Sequence, residues 1–522
     1  MPTQEGDLIR VPSHYSSRTL LLIVLGILAV VIFGVVLAYT LAFGAVLVPA
    51  FVATAAPFVI LFLLARPRTG LYVVVFTAPY VDVLKTTALG VTFRFNEVFG
   101  LLLFIVTIFY LMRTHQRLNV GMVDVFIAGL LGVMLTSILA NLGNLPNPER
   151  LKQVPTAWTD VTGELDRPEF ARYKTIMLAM VSFAAYFSVN NLVRTWTVWR
   201  RCVKLLMISS MLVCVWALLN LLGFLGGMGS GLGLQASNVW YKAGEAPRIT
   251  GTLSEPSYFA NFLVLVIPVA FFSYALRTVL IGRRLDLLAV VLLCGTLVFT
   301  FSGGGWVVFA FELGLLFLVC LRHRLPLSKY VAMVAALVIL ASMALMAAAL
   351  FTDVDYARLA DDNWKKVEDL FTSGVGSGRR IAPDVGWMMF CDNPIIGVGP
   401  GMFQTFEYDY LIKLGFEGEA PSSTFYARVM GELGGCGLLM VLGIFLAATW
   451  TSLRWAKRAS HPPTQAALWG MGVSFVAIAF HYLAHANFWW PYVWVMFGLA
   501  ASGVRIARRL TLAGAQRWED DR

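Results

Sequence analysis

From residue 20 to residue 507 the chain repeats one pattern, an apolar run of about 20 residues, a polar break, and another such run. Wound as a helix, each run covers a hydrocarbon core of ~30 Å. The repeat therefore predicts an all-α, polytopic membrane protein of about 14 transmembrane helices. They are expected at 20–41, 44–65, 70–82, 97–112, 123–142, 172–190, 202–225, 258–278, 286–302, 305–321, 329–351, 424–449, 464–486 and 489–507. Of the 522 residues 58% are hydrophobic and 13% charged, so a water-soluble fold is excluded. The run from Leu20 to Leu41 is too long for the h-region of a cleaved leader and another follows at once, so residues 1–19 are expected to stay attached.

The net charge of +10 is spread as small clusters between the spans, which is a topology signal and not a nucleic-acid stripe. Arg10/Arg18, Arg66/Arg68, Arg113/Arg117, Arg194/Arg200/Arg201, Arg283/Arg284, Arg322/Arg324/Lys329, Arg454/Lys457/Arg458 and Arg505/Arg508/Arg509 all fall on one side of such an arrangement. By the positive-inside rule that side is the cytoplasm. The domain plan is then a cytoplasmic segment 1–19, spans one to eleven over 20–351, a large external loop 352–423 between spans 11 and 12, spans twelve to fourteen over 424–507, and a cytoplasmic tail 508–522. Loops 143–171 and 226–257 are external too, as is the short loop around Lys85 and Arg94, and function is expected there. Five of the six cysteines lie in expected spans and Cys391 is read as unpaired, so no disulfide framework is expected.

Two external segments combine arginine, glycine and carboxylate. The first runs from Arg248 through Gly251 and Ser254-Glu255-Pro256 to Asn261. Ser254 or Glu255 near an N-cap with Pro256 in the first turn has the form of a helix start. Such a start beside an arginine suits a phosphate, although Ser254 as a plain cap and Arg248 reaching to the interface describe the same residues. The second runs from Gly376 to Phe403 and carries Arg379-Arg380 and Gly397-Val-Gly-Pro-Gly401. The paired guanidiniums offer planar forks for a diphosphate. The glycine stretch reads as a tight turn or a backbone nest, since it lacks the Lys-Ser/Thr ending and the preceding strand of a P-loop.

His481 and His485 share a helix face at the outer end of the thirteenth span, as packing residues, alternative bases or half of a metal site with no third ligand in view. The other four histidines, His14, His115, His323 and His461, fall on the cytoplasmic side. Asp353/Asp355 and Asp361/Asp362 read as solvated loop acids. Trp240, Tyr241, Trp364, Trp489 and Trp490 read as interfacial belt residues, with sugar stacking open to Trp240 and Trp364.

Taken together these pieces resemble the O-antigen ligase and Wzy-type polymerase superfamily. Its members show Arg-x-x-Gly before one span, S-G-R…W…P-x-x-G-x-G-P-G-x-F in a long periplasmic loop, and E-x-G-x-x-G at the next span. Here the matching residues are Arg248/Gly251, then Ser377-Gly378-Arg379, Trp387, Pro394, Gly397, Gly399-Pro400-Gly401 and Phe403, then Glu432, Gly434 and Gly437, over roughly 170–510. The resemblance implies a GT-C-like helical fold in the bacterial inner membrane, a periplasmic active site and an undecaprenyl-diphosphate-linked glycan as donor, with no cofactor, metal or nucleic acid. It also implies that Arg248 and Arg379 or Arg380 hold the diphosphate. Spacing from Pro394 favours Arg380, and the Ser-Gly adjacency favours Arg379. Gly251, Trp387, Gly399, Gly401 and Ser423 are the further substrate-binding candidates by the same motifs.

One departure shapes the functional expectation. Ligases of this family carry a basic histidine eleven residues before the first glycine of the last motif, and this chain has Ser423-Thr424 there. A hydroxyl is no base near neutral pH. The expectation is therefore a polymerase of lipid-linked repeat units, with Glu255 as base and a chain-length regulator as partner. A ligase is the runner-up. A secondary transporter or flippase is the alternative of another class, but it should place ionisable groups inside the spans, where Glu312 is the clearest.

Overall fold

The structure is a computed structural model that describes residues 62–82, 85–88, 91–143, 168–225, 239–240, 247–278, 280–323, 327–335, 378–415 and 424–520. The expected first span, nearly all of the second, most of the eleventh, much of the three long loops, and Ser423 lie outside these residues. The chain divides into two compact units, 1–65 with 86–93, and 66–85 with 94–522. Described in the first are a helical turn at 62–65 and most of strands β1 (Lys85–Ala88) and β2 (Val91–Arg94), which pair as a two-stranded sheet.

The second unit is helical: α1 (Pro67–Thr77), α2 (Phe95–Arg113), α3 (Met122–Ala140), α4 (Pro168–Leu192), α5 (Trp196–Leu225), α6 (Pro256–Ala275), α7 (Arg283–Phe299), α8 (Gly303–Arg322), α9 (Gly378–Asp392), α10 (Phe403–Lys413), α11 (Phe425–Arg458), α12 (Pro462–His481) and α13 (Pro491–Asp520). Between α5 and α6, strands β3 (Val239–Trp240) and β4 (Arg248–Ile249) pair antiparallel, Trp240 opposite Arg248. Eight of the described helices are long and apolar enough to cross a membrane, so the chain is a multi-pass membrane protein. One expectation is corrected. The span at 70–82 is instead the eleven-residue α1, about 16 Å long and too short to cross a bilayer alone. Apolar composition hid the break, because Ala78-Pro79 ends the helix and the next residues turn toward Asp82.

Burial ranks the helices. In α6 89% of the spanning window is buried and in α3 28%, so among the described spanning helices α6 is the most enclosed and α3 the least. α6 is apolar all round, as a helix enclosed by protein must be. It packs on α12 closely enough that a Cβ at Gly470 would lie 2.5 Å from Val269 Cα. Ser474 on α12 donates to the Leu265 carbonyl at 2.7 Å, near the ladder position that Pro268 leaves without an N–H.

The two ends of the bundle differ in chemistry. At one end the basic clusters meet backbone oxygens: Arg194 donates to Arg117 O at 2.9 Å, Arg505 binds Asn190, and Lys329 donates to the last carbonyls of α6, Tyr274 O and Ala275 O, both at 2.9 Å. Cations here complement the carbonyl ends of α4 and α6. The other end carries the cavity described next.

Candidate active site

Helix α11 is broken by design of its glycines. Gly434 has φ 63° and ψ −160°, a conformation essentially closed to side-chain-bearing residues, and it frees the backbone groups around it. The loop 394–401 takes them up. Val398 and Gly399 N–H donate to Gly431 O and Glu432 O, both at 3.0 Å. Gly435 and Cys436 N–H donate to Pro394 O and Ile395 O at 2.8 and 3.1 Å. A Cβ at Gly397 would sit 2.3 Å from the Glu432 carbonyl carbon, so the approach requires glycine there. The Glu432 carboxylate closes the joint by accepting from Gly401 N–H at 2.9 Å and Phe403 N–H at 3.3 Å, at the start of α10. From α3, Ser137 and Asn141 hold the loop through Ile396 O and Gly397 O. The nest expected at Gly397–Gly401 therefore exists, but the anion it holds is the protein's own Glu432. Gly399 and Gly401, expected to bind substrate, direct their N–H groups to Glu432, Gly399 to its carbonyl and Gly401 to its carboxylate.

Glu432 also pairs with Arg428 one turn earlier (Nε–Oε1 3.4 Å), and both line a cavity of about 460 Å³. Its other walls come from all along the second unit: Arg94 and Glu97 at the start of α2, Thr175 and Leu178 on α4, Ser254, Glu255 and Tyr258 at the start of α6, Pro400 and Gln404, and Trp489 and Trp490 before α13. Residues from three segments expected to be external, at Arg94, at Ser254-Glu255 and at Pro400 to Gln404, thus meet the ends of several expected spans at one cavity. Arg94 is clasped by two carboxylates, Nε to Asp82 at 3.2 Å and Nη1 to Glu97 at 3.0 Å, and Trp490 covers it at 5.8 Å from the ring centroid. Burial works against its charge, yet Asp82 and Glu97 raise its pKa above the ordinary value. One turn beyond Gln404, Glu407 is buried, and desolvation pushes its pKa up to about 8 while Arg428 pulls the other way.

The expected site residues divide. Glu255 lies in the cavity as the N-cap of α6, with Pro256 at the first position as the helix-start pattern predicted. Its carboxylate accepts from Ser257 Oγ at 3.0 Å, and among the described residues it makes no ion pair. Arg248 does not line the cavity; its Nε donates to Thr300 O at 3.3 Å, beside the α7–α8 turn. Arg379 and Arg380 stand in the first turn of α9, which packs on α11. Gly251 has φ 62°, and a Cβ there would meet the Phe259 ring at 2.8 Å, so its glycine is demanded by a turn against that ring. Trp387 is exposed and lies tilted against Phe390. Thr424 is buried as the N-cap of α11. His481 and His485 are buried neighbours, ring centroids 4.5 Å apart, outside the cavity lining. His481 Nδ1 meets Asn261, whose Oδ1 accepts from Tyr492 OH, a polar chain between α6, α12 and α13. Glu312 is fully buried on α8 and away from the cavity.

Arg428, Arg94, Glu97 and Trp490 were not expected in a site. A signal existed for the first three: Arg428/Glu432 and Arg94/Glu97 are charged pairs at helical spacing at the mouths of apolar runs, where ionisable groups are costly.

Fold and cavity together define a multi-pass membrane protein with a polar, carboxylate- and arginine-lined chamber among its helix ends. Within it, residues 288–442 match a family model described as O-antigen ligase (Wzy_C), so the resemblance to the O-antigen ligase and Wzy-type superfamily holds over that segment. Members of this family are glycan-transferring enzymes. The match is narrower than the motif run from 170 to 510 and leaves Arg248, Gly251 and Glu255 outside it. No curated protein matches the chain.

Proposed function

We propose that the protein polymerises lipid-linked oligosaccharide repeat units of the O-antigen or exopolysaccharide kind, on the periplasmic face of a bacterial inner membrane. A sugar hydroxyl of one unit attacks the anomeric carbon of another. The new glycosidic C–O bond forms as the C–O bond to undecaprenyl diphosphate breaks, with inversion and without metal. The hydroxyl proton passes to Glu255 and the lipid diphosphate leaves. Arg428 in the cavity, with Arg379 or Arg380 and Arg248 from the flanking segments, stabilises the charge on the departing diphosphate. A chain-length regulator is the partner such a polymerase would take.

The observation that carries this reading is the meeting of Glu255, from an expected external loop, with Arg428, from within the family-matched segment, in one cavity. The basic clusters at the opposite end of the bundle support the orientation. The family description favours a ligase as second reading, in which the finished glycan passes to a lipid A core or to protein.

The test uses the purified full chain in nanodiscs with an undecaprenyl-diphosphate-linked repeat unit as sole substrate. A ladder of multimers is expected. Transfer that begins only when a lipid A core or protein acceptor is added would replace the polymerase by the ligase, and no transfer under either condition would overturn both.

A further inference from the structure

Among the described residues two arginines line the cavity, and their surroundings differ. Among the described residues Arg428 makes one ion pair, with Glu432, whose carboxylate also accepts from the N–H groups of Gly401 and Phe403, and Arg428 acts on Glu407 only through its charge and not through an ion pair. Arg94 is clasped by two carboxylates, so the Arg94–Asp82–Glu97 trio carries more negative than positive charge. A diphosphate brought to Arg94 would meet that excess, whereas at Arg428 it meets a guanidinium whose counter-charge is spread over backbone donors.

The Arg94 wall has instead the chemistry that recognises a sugar. Glu97 and Glu255 accept hydrogen bonds from hydroxyls, and the Arg94 guanidinium donates to them. Trp490 covers Arg94 and meets Tyr258 edge-on, ring centroids 4.9 Å apart, leaving aromatic surface against which the C–H face of a pyranose packs. Trp490 is thus a cavity residue and not a belt residue facing lipid.

We infer that the cavity is divided, with the wall of Arg94, Glu97, Tyr258 and Trp490 binding the acceptor sugar and Arg428 facing the donor diphosphate. The inference rests on the glycan-transfer reading above. It places the acceptor hydroxyl beside Glu255, which shares that wall, and it makes the acceptor a neutral sugar, since an acidic one would face Glu97 and Glu255.

Undecaprenyl diphosphate without glycan separates the two halves. Titrated into the full-length protein in nanodiscs, it should bind the wild type and bind Trp490→Ala with unchanged affinity. It should bind Arg428→Gln roughly 10- to 100-fold more weakly, as expected for a charge-assisted contact. In cells, Trp490→Ala at normal protein level should lower polymer roughly 5- to 30-fold, the range of a desolvated cation–π and stacking surface, and Trp490→Phe should restore part of it. Retained diphosphate binding shows that Trp490→Ala is folded. Loss of diphosphate binding in Trp490→Ala to the extent seen in Arg428→Gln would overturn the division, as would normal polymer from Trp490→Ala. Wild-type protein that does not bind undecaprenyl diphosphate would overturn the glycan-transfer reading and the division with it.

Discussion

Glu432→Gln asks the most of the structure, because one carboxylate holds the glycine loop, the start of α10 and Arg428 together. Its two backbone contacts, at 2.9 and 3.3 Å, and its ion pair at 3.4 Å are made by a residue 6% exposed. Glutamine keeps the length and one carbonyl oxygen but loses the charge, and its amide turns a donor toward one of the two N–H groups. One charge-assisted hydrogen bond of about 1.5–3 kcal/mol is lost, and a buried N–H left without an acceptor adds about 1–3 kcal/mol, so a total on the order of 3–5 kcal/mol is expected. The Arg428 pair is left out of that sum because the guanidinium is about a quarter exposed and screened. The variant should melt several degrees below wild type in nanodiscs, be cut faster by protease between Pro394 and Phe403, and make no polymer. Glu432→Asp should fall between, keeping charge but not reach. Unchanged melting and proteolysis in Glu432→Gln would show that the loop is held by its backbone pairing with α11 alone, and the argument from the carboxylate would be wrong.

Glu255→Gln keeps the helix start and removes the basicity, so transfer should fall about 100-fold or more at unchanged expression; normal polymer would remove Glu255 as the base. His481→Ala, by breaking the Asn261–Tyr492 chain, should lower the melting temperature while the protein that remains folded stays active, and loss of turnover without loss of stability would move the base to α12. Arg248→Ala and the double Arg379/Arg380→Ala change should each lower transfer by about 30- to 1000-fold, for 2–4 kcal/mol of transition-state stabilisation, with poor rescue by Lys; full-length polymer from the double variant would exclude that pair. Glu407 is raised by burial from 4.5 to about 8, so over that window the folded protein keeps a proton the unfolded chain has released, and stability falls as pH rises, by up to about 1.4 kcal/mol per pH unit. Glu407→Gln should flatten the decline in melting temperature between about pH 6 and 8, and an unchanged slope would assign the decline to another group.

What the sequence made legible was local. The start of α6 at Glu255-Pro256 follows from adjacent residues, whereas His481 and His485, expected on one helix face, are neighbours across the turn that follows the end of α12 at His481. The direction those histidines face was not legible, since apolar residues surround that part of α12 on every side and leave no polar stripe to orient it. The glycine-and-glutamate motif could be read as a pattern but not as a joint. Gly401 finds its acceptor on a residue of another helix, and only the break at Gly434 brings them into reach. Arg94 and Arg428 could each be seen as an unusual charge beside an apolar run. That they line one chamber depends on how α2, α6 and α11 pack, which no spacing along the chain encodes.

The walls of the cavity come partly from inside and partly from outside the matched segment. The segment matched to the family supplies Pro400, Gln404, Phe425, Arg428 and Glu432, while Arg94, Glu97, Glu255, Tyr258 and Trp490 all come from outside residues 288–442. A comparison tuned to that segment recognises the half of the chamber built on the Gly434 break and is blind to the half that faces it. Two chains can therefore share the match in full and still differ in the sugar they accept, so a change of substrate could evolve in α2, α6 and the turn before α13 while the family signature stays as it is.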